Sequence, residues 1–577
     1  MHIRHVSISR FRGIRSLNWH LDGRIICLVG PGDSTKTTIL DAIELTLAPK
    51  WFVPFTDADF YQVRTEEPIS IEVTVGELSD ELLADDKCGL YLRGYQPNQP
   101  LIDDPEDGWE PVITVQLRVS DDLEPHWELI KGGILEPKPL SWRDRERLSM
   151  SRLGNDVERH LTWSRGSALA RITEKNTPTG PALALANRAA NAAIAGTPQA
   201  DLESAANIAQ EAAKEFGVNV TPLKPGLDAS ALSLGSGALT LHDDQSVPLR
   251  ATGLGTRRLT ALGIQHIGLG PDAIILVDEV EHGLEPYRIR RLLKKLSDDK
   301  GVSDNADGAL AQGQVLMTTH SPTTIMALPV QSLGFVRTIA GSTTVATVSE
   351  DAREALQSIV RRISHAVLAR KILVCEGKTE EALCRVMDEV WSEAHDGYSF
   401  ACNGVVPVNG GGSEFAKSAA EFRHLGYEVA VFGDSDVSIT PSRDSLEADG
   451  ITVVLWDGTL ASEERITADL PLDKLQMFLE IAIDERDEES VLSSISAHLE
   501  NNLTTCEASI STWLSTLGCT EAKVRSAIGK AAKKKGWFKD LNAGQRLADI
   551  VCSALPEIPD TDLAKKLAAI EEWAHAT

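Results

Sequence analysis

The chain has 577 residues, enough for two or three domains with full-sized cores, and carries 57 basic against 84 acidic side chains for a net charge of −27. So acidic a chain is not a generally basic nucleic-acid binder, although binding needs only a local positive groove. No apolar run is long enough to span a membrane, no charged-then-apolar signal pattern opens the chain, and its eight cysteines lack the paired spacing of zinc sites. A reducing cytoplasm is the expected setting.

In chain order, His2 to Ile14 reads as a first strand continuing into Arg10-Phe11-Arg12-Gly13. Ile25 to Val29 is a short apolar run that opens into Gly30-Pro31-Gly32-Asp33-Ser34-Thr35-Lys36-Thr37-Thr38, followed by an amphipathic stretch to Leu47. That is a strand, a phosphate-cradling turn and a helix: backbone N–H groups and the helix N-terminus hold phosphates while the lysine reaches the outer ones. Thr37 is placed to offer its hydroxyl to Mg²⁺. The glycine expected just before the lysine is Thr35. A Gly-rich turn alone can be a plain strand-to-helix connection, so its company decides.

Residues about 150 to 220 turn Ala-rich around Thr177-Pro178-Thr179-Gly180-Pro181 and predict a helical insertion. Thr252 to Leu259, containing Gly253, Gly255, Arg257 and Arg258, is a second Gly-rich turn opening a helix. The two arginines fit either a nucleotide contact or ordinary surface cations. Ala273 to Val277 is a fully apolar strand ending in Asp278 and Glu279. Asp278 suits a Mg²⁺ shell, and Glu279 suits the base that polarises an attacking water. Gln314 to Thr319 is another apolar strand, ending in His320, which suits a terminal phosphate.

Here the chain resembles the ABC-type ATPases of the SMC and RecF kind, on the Arg10 to Gly13 segment, the Gly255 turn and Asp278 to Pro286. The resemblance adds Arg12 and Gly255 to the nucleotide contacts of Gly30, Gly32, Ser34, Lys36, Thr37, Thr38, Asp278, Glu279 and His320. It also implies ATP held between two copies, hence a homodimer or larger assembly.

The second half changes the chemistry. Lys371 to Cys375 is a buried-type strand ending on Glu376, then Gly377 and a helix carrying Glu380 and Glu381. Glu428 to Gly433 is another, ending in Asp434-Ser435-Asp436. Acids at the carboxyl ends of neighbouring parallel strands converge where α/β sheets place ligands. Their repulsion calls for a divalent cation, and all-oxygen ligands favour Mg²⁺ or Mn²⁺. The Val408 to Ser413 turn, with Gly410, Gly411 and Gly412, either ends a strand with Ser413 as an N-cap or admits a nucleic-acid backbone.

This Glu-then-Asp-x-Asp pattern resembles the TOPRIM domain, and an ABC-type ATPase followed by TOPRIM is the order of the overcoming-lysogenization-defect (OLD) nucleases, which include the Gabija nuclease subunit. The implied fold is α/β: an ABC/SMC-like P-loop ATPase domain over 1–345 with its insertion, a linker over 346–365, and a Rossmann-like TOPRIM domain over 366–577 with a helical insertion about 475–535. In the family pattern Glu376, Asp434 and Asp436 match metal ligands and Glu380 an auxiliary acid. Glu463 or Glu464 matches a further acid for a second metal, and Lys539 a lysine near the scissile phosphate. Two cations about 4 Å apart would activate a water on one side of the phosphorus and stabilise the leaving oxygen on the other.

A topoisomerase would need a nucleophilic tyrosine, and Tyr61, Tyr91, Tyr95, Tyr287, Tyr398 and Tyr427 offer no convincing one. Arg361, Arg362, Arg370 and Lys371 form one basic cluster and Lys523 to Lys539 another, both flanking the acids. The expectation is an ATP-regulated, metal-dependent DNA endonuclease of bacterial antiviral defence. Its rivals are a RecF-like DNA-binding ATPase with a non-cleaving TOPRIM domain, and a toxin subunit acting with a helicase-like, reverse-transcriptase or other partner.

Overall fold

The computed structural model describes the chain apart from residues 51, 85, 98, 133–135, 149, 154–156, 164–166, 168, 170–184, 187, 190, 191, 194–203, 211–239, 245, 270–272, 298–312, 500, 501, 505, 517 and 577. The helical insertion expected at about 150–220 therefore lies largely outside the described residues. Its first residues, Met150–Leu153, form a strand. The fold divides into two units, Met1–Ile26 with Thr37–Thr318, and Cys27–Lys36 with Thr319–Thr577.

In the first unit an antiparallel run takes the order Lys138–Pro139, Pro125–Ile130, Glu110–Val119, Ile69–Gly76, His2–Phe11, Ile14–His20. Its strands alternate buried and exposed positions, as Ile14–His20 does with Ile14, Leu17 and Trp19 inward. A second run is parallel, with Ile274–Val277 between Val315–Thr318 and Met150–Leu153. Ile274–Val277 is buried at every position, as a central parallel strand requires. Its carboxyl end delivers Asp278.

In the second unit, Cys27–Val29 pair in parallel with Leu333–Phe335, and Leu333–Ile339 turns back against Ser342–Ala346. A separate sheet of four parallel strands has the order Val405–Asn409, Lys371–Cys375, Glu428–Gly433, Thr452–Leu455. The helices Lys378–Ala394, Phe415–His424, Arg443–Ala448 and Ser462–Asp469 alternate with and follow these strands. From Leu472 the chain is helical, through Leu472–Glu485, Glu488–Leu499, Ile510–Thr516, Glu521–Lys535, Leu541–Ala554 and Asp562–His575. One apolar core joins sheet and helices, with Leu373 and Phe432 from the strands meeting Phe478, Trp513 and Phe538 from the helices. The span read as a linker carries the helix Arg353–Arg362.

Candidate functional site

The residues of the Gly-rich loop, Gly30 to Lys36, lie in the second unit. Gly30 has φ of 151°, and a Cβ there would lie 2.6 Å from the Val336 carbonyl oxygen, so only glycine fits. Gly32 faces open space. Thr35, at the position where glycine was expected, takes φ of 64°, a left-handed conformation that a β-branched residue adopts at a cost. Its hydroxyl donates to the Ser34 carbonyl at 2.6 Å and lies 3.0 Å from the Thr338 hydroxyl. Lys36 is buried, and its ammonium donates to the carbonyls of Gly30 at 3.1 Å and Pro31 at 2.7 Å and to the Ser34 hydroxyl at 3.0 Å. Thr38 is half-buried on the following helix, and His320 is exposed past the end of Val315–Thr318.

In the first unit Asp278 is held on every side. Its Oδ1 accepts from the hydroxyls of Thr37 at 3.2 Å and Thr318 at 2.6 Å, and its Oδ2 from Arg152 at 2.8 Å. Arg152 also pairs with Asp41 and, at 3.0 Å, with Glu44. Arg12 pairs with the same Asp41 and with Asp59 at 2.9 Å. Glu279 takes φ of 45° and its Oε2 lies 3.2 Å from His282 Nδ1. The two arginines after Gly255 differ. Arg258 is buried and donates to the carbonyls of Asp278 at 2.8 Å and Glu279 at 3.1 Å, whereas Arg257 pairs with Glu158. Gly255 opens the helix Leu254–Leu269 against the Gly283 carbonyl, where a side chain would not fit.

The acids of the second half share a cleft. Parallel register sets Cys375 beside Phe432 and Asn409, so Glu376 comes level with Gly433 and Asp434. The Asp434 backbone N–H donates to Glu376 Oε2 at 2.8 Å. A Cβ on Gly433 would come within 2.8 Å of that oxygen, so the residue before Asp434 has to be small. Asp434 Oδ1 accepts from the Ser462 N–H at 2.7 Å and hydroxyl at 2.8 Å. Glu380 is buried on the first turn of its helix and accepts the Gly377 N–H at 2.8 Å. Glu463 is buried and Glu464 accepts the Ala461 N–H at 3.2 Å.

Lys533, read from the sequence only as part of the basic cluster Lys523 to Lys539, pairs with Asp436 and lies 3.4 Å from Glu464. It lines a cleft of about 560 Å³ together with Glu376, Glu380, Asp434, Asp436, Glu463 and Lys539.

Burial pushes the Asp434 carboxyl up to about 8, and the neighbouring Glu380 and Glu376 charges add to the effect. Burial likewise raises Glu380 to about 7, with Glu463 and Glu376 contributing. Glu376 and Glu463 are raised in the same direction, again chiefly by burial. For Lys533 burial works downward, and the Asp436 and Glu464 carboxylates outweigh it, so its pKa is raised. Among the described residues no group of three or more His, Cys, Asp or Glu side chains is placed, as the side chains stand, to hold a metal ion. The donor set is nonetheless all oxygen, crowded and buried, which is the chemistry that a hard divalent cation relieves.

Two sequence expectations are corrected. Lys371, counted in a basic cluster, is buried, with its ammonium on the carbonyl of Ala576 at 2.7 Å and on Glu428 at 3.0 Å. Ser413 does not cap the following helix: it lies within a short 3-10 turn, Gly412–Glu414, and the helix starts at Phe415. Arg361, Arg362 and Arg370 are exposed, as expected of a surface patch.

A P-loop strand and turn followed by an acid-ended parallel sheet define a nucleotide-binding protein joined to a TOPRIM-type domain. Residues 25–327 match the family described as "AAA domain, putative AbiEii toxin, Type IV TA system", and the chain belongs to that family. Residues 367–436 match the "Overcoming lysogenization defect protein-like, TOPRIM domain". The chain thus combines an ATP-binding domain with an OLD-like TOPRIM nuclease domain. No curated protein sequence matches it.

Among solved structures it is similar to an SMC head domain from Thermotoga maritima, at 14% identity over 60% of this chain and 100% of that one with a TM-score of 0.28. It is also similar to a Smc head domain bound to the C-terminal domain of ScpA derived from Pyrococcus furiosus, at 13%, 62%, 99% and 0.35. The recombination mediator RecF gives 13%, 60%, 98% and 0.30. No helix among the described residues is long and apolar enough to cross a membrane.

Proposed function

We propose that the chain is a metal-dependent DNA endonuclease whose cleavage is regulated by nucleotide at the Gly30 to Lys36 loop, acting in bacterial antiviral defence from the cytoplasm as a homodimer or larger assembly. The observation that carries this reading is the shared cleft, in which Glu376, Asp434, Asp436, Glu380 and Glu463 from separate segments meet Lys533 and Lys539. Buried carboxylates with strongly raised pKa values are a costly arrangement that a fold keeps for chemistry.

Glu376, Asp434 and Asp436 would hold Mg²⁺ or Mn²⁺, with Glu380 and Glu463 or Glu464 in support. A cation bound there polarises phosphoryl oxygens and lowers the pKa of a bound water. Ser462 orients Asp434 through two hydrogen bonds, and Gly433 leaves room for Glu376 beside it. Lys533 and Lys539 supply positive charge toward the phosphate, and the exposed Arg361, Arg362 and Arg370 give flanking DNA phosphates a contact surface. Lys36 of the second unit would serve the phosphates of ATP, and in the first unit Thr37 and Asp278 would serve the Mg²⁺ shell and Glu279 the attacking water.

The strained Thr35 favours a second version of the same reading, in which the loop senses ATP more than it hydrolyses it and cutting needs a partner from the same defence system. A labelled DNA duplex incubated with protein and Mn²⁺ tests the core of the proposal. Cleavage that stops with a chelator and with Asp434→Ala supports it. Cleavage that persists in Asp434→Ala assigns the activity elsewhere.

A further inference from the structure

Arg337 occupies the strand Leu333–Ile339 of the second unit, and strand alternation sends its side chain to the face opposite Val336 and Thr338. The Thr338 face meets the nucleotide loop. The Thr338 hydroxyl donates to the Ser34 carbonyl at 3.4 Å and lies 3.0 Å from the Thr35 hydroxyl, while the Val336 carbonyl leaves no room for a Cβ on Gly30. The Arg337 face meets the acid-bearing sheet. Its guanidinium lies 3.7 Å from the centroid of the Tyr427 ring, and Nη1 donates to the Ala369 carbonyl at 3.2 Å.

Those two contacts fall where the acid-bearing strands begin. Tyr427 immediately precedes Glu428–Gly433, which delivers Asp434, and Ala369 lies two residues before Lys371–Cys375, which delivers Glu376. The Tyr427 hydroxyl donates to the Val367 carbonyl at 2.6 Å, tying the two approaches together. One side chain therefore touches the entries of both strands that carry the central acids.

The charge of that side chain is not explained by packing. Arg337 is 8% exposed, its Nε and Nη2 have no hydrogen-bond partner, and no carboxylate among the described residues pairs with it. Stacking on Tyr427 offsets part of the cost of burial. An apolar side chain of similar volume would fill the space without burying an unpaired cation.

We propose that Arg337 is a positioning residue through which the conformation of the Gly30 to Lys36 loop sets the placement of Glu376 and Asp434. The proposal rests on the reading of the loop as a nucleotide site and of the acids as the nuclease site. The Lys36 ammonium rests on the Gly30 and Pro31 carbonyls and the Ser34 hydroxyl, so a phosphate bound at the loop would compete for it and give the loop a second arrangement. Ser34 is also the residue whose carbonyl takes the Thr338 hydroxyl, which is the contact through which a rearranged loop would reach the strand. A ligand shifts such an equilibrium by its difference in affinity for the two arrangements.

Hydrogen exchange of the full chain with and without Mg²⁺ and ATP tests this without depending on cleavage. In the wild type, ATP changes exchange over residues 27–38 and also over 369–375 and 426–433. In Arg337→Met the change over 27–38 persists and the change over the other two segments falls at least fivefold. Should Arg337→Met fail to fold, Thr338→Val interrupts the same route from the other face and gives the same pattern. Unreduced change over 369–375 and 426–433 in the folded variant overturns the proposal, as does a wild type that responds only over 27–38. A wild type that responds nowhere overturns the nucleotide reading along with it, whereas intact coupling in a protein that cuts no DNA removes the nuclease reading alone.

Discussion

The backbone N–H of Asp434 donates to Glu376 Oε2 at 2.8 Å, so the acid ending one parallel strand is fixed by the main chain at the start of the next acid pair. Ser462 completes the arrangement by giving both its N–H and its hydroxyl to Asp434 Oδ1. Groups that orient metal ligands cost about 10- to 100-fold in affinity or activity when lost. Ser462→Ala is expected to weaken Mn²⁺ binding by about tenfold or more while the protein still melts cooperatively. Isothermal calorimetry checks this, and an unchanged affinity would mean that Asp434 is not a ligand.

The raised acids make a pH prediction for metal-free protein. Asp434 at about 8 and Glu380 at about 7 sit above the ordinary carboxylate range, so the fold favours their protonated forms. The stability they contribute is complete below the unfolded carboxylate range and is lost as pH rises through their folded values. Chelator-treated protein should therefore lose thermal stability between about pH 5 and 8, and Asp434→Asn should flatten that loss. Added Mn²⁺ should raise the melting temperature more at pH 8 than at pH 6, because cation and proton compete for the same oxygens. Melting curves with equal slopes in wild type and Asp434→Asn would contradict the assignment.

Lys533 gives a third expectation. It pairs with Asp436 and stands beside Glu464, so Lys533→Ala removes the cation that bridges two of the acids. Glu376 and Glu463, each held down in part by Lys533, should then titrate higher, shifting the cleavage profile to higher pH and lowering its rate by about tenfold or more at neutral pH. Lys539, exposed at the rim of the same cleft, also lowers Glu376 and Glu463, so Lys539→Ala should shift the profile in the same direction. Cleavage rates measured from pH 6 to 9 check both variants, and an unshifted profile in Lys533→Ala would contradict its role beside the acids.

Thr35 supplies a fourth. Its left-handed conformation costs about 1–2 kcal/mol, against about 0.5–1 kcal/mol of extra chain entropy for glycine. Thr338 and Thr343 keep their mutual hydrogen bond at 2.9 Å without it. Thr35→Gly should stabilise the protein by up to about 1 kcal/mol, read as a higher urea midpoint at unchanged slope. A clear loss of stability would show that the threonine cluster outweighs the strain.

What the sequence made legible follows from where information is local. Val29 to Thr38, Asp278 and Glu279, and Glu376 with Asp434 and Asp436 each lie at the end of an apolar run, and strand ends in parallel sheets gather ligands. Arg152, Thr318, Ser462 and Lys533 reach their sites from distant segments with no periodic or compositional mark. Arg152 meets Asp278 only because Met150–Leu153 pairs with Ile274–Val277, a register that no local pattern announces. Lys533 was hidden among Lys530, Lys534 and Lys535, and only the turn of the helix Glu521–Lys535 singles it out. Lys371 misled for the converse reason, since a charge at a strand start reads as exposed until the carboxyl-terminal helix covers it.

The most direct test is cleavage of supercoiled plasmid by the purified full chain with Mg²⁺ or Mn²⁺, with and without ATP, comparing wild type with Asp434→Ala and Lys36→Ala. The account predicts metal-dependent nicking that ATP modulates, abolished by Asp434→Ala, and in Lys36→Ala present but indifferent to ATP. Nicking that survives Asp434→Ala, or that responds to ATP equally in Lys36→Ala, would contradict it.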